Sequence, residues 1–149
     1  MLARPLLEGR RFHCIKDLAL HIPAVEDSWL HEDILRDPPV WESVPELKDA
    51  GDGPHYAAFP LTALLSYWRA VEERTLAYLA GLTPEELSRP VVEANSQDGK
   101  VFRVDGLLWH VMIHEMRHSA QIGALLRLCG LQPPFLDLLR YLPGEAQPA

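Results

Sequence analysis

From about Asp105 to Cys129 the sequence reads as one long helix carrying three histidines, His110, His114 and His118, at four-residue intervals. Four-residue steps stack side chains along one side of a helix, so this segment constrains both an element and its chemistry. All three histidines cannot hold the same ion. His110 and His118 are about 12 Å apart along the axis at 1.5 Å per residue, against Zn–N bonds of about 2.0 to 2.1 Å. Stepping about 100° per residue, His114 and His118 fall on the core-facing arc of Leu107, Val111, Ile122 and Leu125. His110 lies at the edge of that arc near Arg117, with Trp109, Ala120 and Arg127 on the far side. Two inward histidines each need a polar partner in a dry interior, and one metal ion satisfies both. The plainer alternative is a pair of core histidines bonded to carbonyls or water.

The rest of the chain also reads as helix. Ile15, Leu18, Ile22, Val25, Trp29 and Ile34 recur at helical spacing between Phe12 and about Leu35, with Pro23 expected to kink that helix or mark a restart. Residues 37–59, rich in Pro and Gly, read as a long connection with room for one helical turn. A second helix spans Leu61 to Leu79, with Leu61, Leu64, Leu65, Trp68, Val71, Leu76 and Leu79 as its expected buried side. Thr83, Pro84 and Glu86 form a capping box for a short helix. A hairpin turn is expected at Asp98-Gly99, Asp105 is a plausible N-cap of the last long helix, and Gly130 sits where a C-terminal glycine belongs. A short helix after Pro133-Pro134, through Phe135 to Tyr141, is expected to close an all-α, four-helix-type bundle comprising residues 1–149 as a single domain.

His114-Glu115-Met116-Arg117-His118 also matches H-E-x-x-H, the zinc-peptidase helix in which the glutamate is the general base. Such enzymes pair the helix with a substrate-holding sheet, and no strand-rich region precedes it here, which makes that the poorer reading. A metal site with an open position needs about three protein ligands. The remaining histidines are His13, His21, His31 and His55, beside several carboxylates. His31, in Trp-Leu-His-Glu-Asp, reads as solvent-facing, and His55 lies in the Pro/Gly-rich connection. His21 flanks the apolar stripe of the first helix and can look toward a neighbouring helix.

The segment from Leu108 to Gly130 resembles the signature helix "L-x-H-V-x-x-H-E-x-x-H-R-G-Q-I-x-x-L-L-R-x-x-G" of the DinB/YfiT-like superfamily, and His21, Ile22, Glu26 and Trp29 resemble its "H-I-x-x-x-E-x-x-W" helix. The resemblance runs from the first helix to Gly130. It implies a DinB-like bundle and places the family's metal ligands on His21, His114 and His118. His110 matches a common family position that is not a ligand. Three departures stand out. Only about 20 residues precede His21, where family members have a long helix, so the first helix is expected to be shortened or missing, or its place taken by a second subunit. Pro23 closely follows His21, and Ser119-Ala120 replace the common Arg-Gly.

The resemblance implies one divalent transition metal, with Zn or Ni first and Fe, Co, Mn or Cu also compatible with imidazole ligands. It implies metal-dependent hydrolysis of a small-molecule substrate, or transfer using a low-molecular-weight thiol such as bacillithiol, mycothiol or glutathione. Glu26, Glu115 and Arg117 are the nearest polar candidates for catalytic roles. The competing reading is a metal that merely pins helices together in a binding or structural module. A net charge of -7 and scattered basic residues argue against a nucleic-acid partner, and no stretch approaches the ~18 to 20 apolar residues of a spanning helix. Arg4 and Glu8 interrupt what would be a signal-peptide core, and Cys14 and Cys129 read as buried thiols, so a cytoplasmic protein is expected. A homodimer is expected to cover the apolar surface that a missing first helix would leave.

Overall fold

The computed structural model describes residues 14–47, 59–94 and 98–137. Within them the fold is all-α apart from one small hairpin. Helix α1 (Ile15–Asp27) opens on Cys14, whose Sγ accepts from the Asp17 amide. It does not restart at Pro23, whose ring is buried within the continuous helix. The irregularity comes later: the chain widens into a π-helix over Ser28–Leu35 and ends on Arg36 at φ 60. The expected helical turn in the connection is a 3₁₀ turn at Val40–Ser43, and residues 48–58 lie outside the described ones.

Helix α2 (Leu61–Ala80) buries Ala63, Leu64, Tyr67 and Val71. Leu61, Leu65, Leu76 and Leu79 are exposed and Trp68 is half-buried, which corrects the buried side expected for this helix. Among the described residues one flank of α2 meets the core, so Leu64 and Val71 pack with Leu20, Val40 and Val44 while the adjacent leucine row does not. Helix α3 (Pro84–Ser88) is capped by Thr83 Oγ1, which accepts from the Glu86 amide. Strands β1 (Pro90–Val92) and β2 (Val101–Arg103) pair antiparallel around Gly99 at φ 57.

Helix α4 (Val104–Leu128) starts one residue before the expected cap, with Asp105 inside the first turn. Gly130 adopts φ 74, and the Gly130 and Leu131 amides bond the Arg127 and Leu126 carbonyls, closing a Schellman-type C-cap. The short C-terminal helix expected from about Phe135 is not formed over 131–137, which run irregularly. Pro133 and Pro134 carry no amide donors and bias their neighbours to extended backbone. Residues 138–149, the rest of that expected helix, and residues 1–13, where a shortened first helix was expected, lie outside the described residues.

Helix α1 packs on both α2 and α4. Ile15 and Leu18 meet Leu125 at one end, while Leu30 and Ile34 meet Val104 and Leu107 at the other, so α1 and α4 are antiparallel. Leu18, Leu20 and Ile22 are fully buried, each worth about 1.5–3 kcal/mol relative to exposure. That packing fixes the face α1 turns toward α4. No helix among the described residues is long and apolar enough to cross a membrane.

Candidate metal centre

Antiparallel packing of α1 on α4 sets His21 against the turn of α4 carrying His114 and His118. His114 and His118 are buried and His21 is half-buried. Ring centroids lie 4.8 Å apart for His21–His114, 4.8 Å for His21–His118 and 4.3 Å for His114–His118. One ring nitrogen from each of the three falls within 4.8 Å of the others. His21 Nε2 and His114 Nε2 are 3.0 Å apart.

Two facing imidazole nitrogens need a proton or a cation between them, since two lone pairs repel. Burial, together with the charges of His118 and Arg117, lowers the His21 pKa. Burial first, then His118, His21, Arg117 and His110, hold His114 down to about 4. Both are therefore neutral near pH 7, the form that binds a metal. His118 Nδ1 lies 2.6 Å from Gln121 Oε1, an acceptor. The proton accordingly sits on Nδ1 and the Nε2 lone pair is left for a ligand, the orienting role an outer hydrogen bond plays in metal sites. By donor chemistry and spacing, this cluster could hold a divalent transition metal.

His110 stays apart. It is exposed, its ring 6.1 Å from His114 and 5.4 Å from Trp29. His31, expected at the surface, is 1% exposed on the π-helix, with Nδ1 2.9 Å from Asp27 Oδ1. The polar neighbours Glu32 and Asp33 suggested solvent, but a carboxylate one turn back supplies an interior partner. His13 and His55 lie outside the described residues. Cys14 is buried, Cys129 is partly buried, and both are free thiols.

The carboxylate candidates form a pair. Glu26 on α1 is buried and accepts from the Thr75 hydroxyl on α2. Burial, then the Glu26 charge and a hydrogen bond with Glu26, push Glu115 up to about 8. Arg117 is exposed, its guanidinium 3.5 Å from His118 Nε2. Beside His21 a groove of about 320 Å³ runs along α1 past Ser28 and Trp29 to Asp33 and Glu93. Neither Asp33 nor Glu93 stood out in the sequence, because the hairpin carries Glu93 to the helix from 60 residues away.

The Glu115 shift makes a prediction with a definite sign. An unfolded glutamate releases its proton near 4.5 and the folded one near 8, so between those values the folded state binds more protons. Stability therefore falls as pH rises from about 4.5 to about 8. Glu115→Gln keeps an uncharged donor toward Glu26 and should flatten that fall in urea unfolding at pH 5 and pH 8. The same drop in both proteins would show that the pair does not share a proton.

The DinB family model matches residues 4–148. The chain belongs to the DinB family. That match spans both histidine-bearing helices, so the three converging imidazoles sit within a DinB-like helical fold. No curated protein matches the chain.

Proposed function

We propose that this DinB-family chain is a metal-dependent enzyme that acts on a small molecule, with His21, His114 and His118 as the ligands of one divalent transition metal, Zn or Ni first. The observation that carries this reading is the convergence of three imidazoles from two helices beside an open groove. Three protein ligands leave coordination positions for water or substrate. When bound, such an ion supplies Lewis-acid chemistry, lowering the pKa of water toward about 7 or holding a thiolate.

The chain's own groups favour hydrolysis over thiol transfer. Asp33 and Glu93 line the groove, and low-molecular-weight thiols such as glutathione carry carboxylates that these would repel. Trp29 offers a flat apolar wall for the body of the substrate. Glu115, held protonated near pH 7 by burial and by its hydrogen bond with Glu26, is a candidate for exchanging a proton. Arg117 borders His118 and can meet charge that develops at the mouth.

The test is elemental analysis of the purified, untagged protein, followed by assay of chromogenic esters and thiol-transfer substrates before and after chelation. About one equivalent of transition metal, with ester turnover lost on chelation and restored by metal, is the expected result. Bound metal without turnover of either class would reduce the ion to a helix staple. Failure to bind or take up Zn or Ni would remove the metal reading altogether.

A further inference from the structure

Helix α1 and the π-helix that extends it carry one continuous stripe, of which the histidine cluster uses only the first residue. His21, Ala24, Val25, Ser28, Trp29 and Asp33 recur at steps of three and four, which stack on one side of a helix. With Glu93 of the hairpin they line the groove of about 320 Å³. Polarity along it is uneven. His21 stands at one end and both carboxylates at the other, where Asp33 is about 18 Å from His21 along the axis at 1.5 Å per residue. Between them the lining is small or apolar, and the Ser28 hydroxyl spends its proton on Glu32. The Trp29 ring is braced edge-on by Phe102 and His110, with centroids 6.1 Å and 5.4 Å away.

The acidic end lacks a counter-charge. Asp33 is 6% exposed, and a carboxylate so buried is ordinarily paired with a cation or with several donors. Among the described residues Asp33 accepts from one amide, that of Ala94, and neither Asp33 nor Glu93 forms an ion pair. Arg36, the nearest base in sequence to Asp33, donates to the Val92 carbonyl. No Lys or Arg lines the groove. Both carboxylates are held in place: Asp33 by the π-helix, Glu93 by its amide bond to the Lys100 carbonyl at the end of the hairpin.

We infer that this groove selects a small-molecule substrate carrying a primary ammonium group, received by Asp33 and Glu93. Its alkyl chain lies along Val25 and Trp29, and its ester or amide reaches the histidine end. An ammonium has three donors to divide between two carboxylates, and attraction between opposite charges strengthens where water is excluded. The groove's volume, drawn out over its length, fits a single extended chain. Hydrolysis at the far end adds water across the acyl bond and releases acid and alcohol or amine, so no further reactant is needed. The inference rests on the enzymatic reading for the reacting end, whereas the cation site stands on Asp33 and Glu93.

Calorimetric titration of the full-length protein, metal-loaded and chelated, with hexylammonium chloride and with 1-hexanol as its uncharged counterpart tests the cation site. The ammonium should bind about 10- to 100-fold more tightly, the range for hydrogen bonds to charged groups, with or without metal. Asp33→Asn, which can still accept from the Ala94 amide, and Glu93→Gln on the half-exposed hairpin should each reduce that preference. The double variant should abolish it, with metal content and helicity unchanged. In turnover, p-nitrophenyl 6-aminohexanoate should show a lower KM than p-nitrophenyl heptanoate by a similar factor, with kcat little changed, and the double variant should erase the difference. Equal binding of hexylammonium and hexanol overturns the inference. So does a preference that survives the double variant, since the cation then sits elsewhere. Metal-dependent hydrolysis that does not distinguish the two esters overturns the inference and leaves the enzymatic reading standing. Ammonium-selective binding without metal-dependent turnover supports the cation site and removes the enzymatic reading alone.

Discussion

His118→Ala is expected to abolish stoichiometric metal binding, as are His21→Ala and His114→Ala, while His110→Ala leaves it intact. The difference follows from where the nitrogens point. The first three rings converge within 4.8 Å, whereas His110 is exposed and rests against Trp29. Removing one of three imidazoles leaves two, below the number that holds an ion in an open site. The loss should exceed the roughly 10–100-fold that an outer hydrogen-bonding partner contributes, and Gln121→Ala should show an effect of that smaller size. Protons compete weakly at this site, because burial holds His114 near 4 and lowers His21. Uptake should therefore persist to pH values below 6.5, the ordinary imidazole value. Titration against a chromophoric chelator across pH 4 to 8 measures both effects. Equal loss in the His110 and His118 variants would sink the assignment.

How much of this was legible beforehand differs from residue to residue. The inward facing of His114 and His118 was readable from phase, since they share an arc with Leu107 and Leu125, which are buried with them. His21 was not, because at the edge of its stripe it looks like any half-buried polar residue, and only the resemblance singled it out. Residues close in sequence were informative where partners are local, as with the Thr83 cap and the Gly130 turn. They misled where partners are distant. His31 sits among acids yet is interior, and the leucines of α2 outnumber the contacts that the described residues offer them. Glu26 was singled out beside Glu115 and Arg117 as a polar candidate, but nothing local showed that Thr75 and Glu115 would come to it from two other helices. Nothing local in the sequence marks the π-helix. Its widening allows Ile34 O to accept from Arg89 while Arg36 donates to Val92 O, docking the hairpin on the end of α1.

Asp27→Ala should be the most damaging single substitution to stability, at about 3–5 kcal/mol, the cost of removing one partner from a buried charged network. The carboxylate is 1% exposed and serves four groups. Oδ1 accepts from the Val40 amide at 2.9 Å and lies 2.9 Å from His31 Nδ1. Oδ2 accepts from the Tyr67 hydroxyl at 2.8 Å and from the Trp41 amide at 3.2 Å. One side chain thereby ties α1 to α2 and pins the start of the long crossover to both. Alanine would leave the Val40, Trp41 and Tyr67 donors in an apolar interior, beside a His31 neither of whose ring nitrogens makes a hydrogen bond. Asp27→Asn retains one acceptor oxygen and should cost less. Tyr67→Phe, which removes one hydrogen bond and leaves the other three groups served, should cost about 1–2 kcal/mol. Urea unfolding of the three variants fixes the order, and a value for Asp27→Ala within about 1 kcal/mol of wild type would mean that water replaces the carboxylate. The histidine cluster offers an internal control. His21 precedes Asp27 by more than one helical turn and is held by α4, so metal uptake by the folded fraction should survive a change that loosens the crossover.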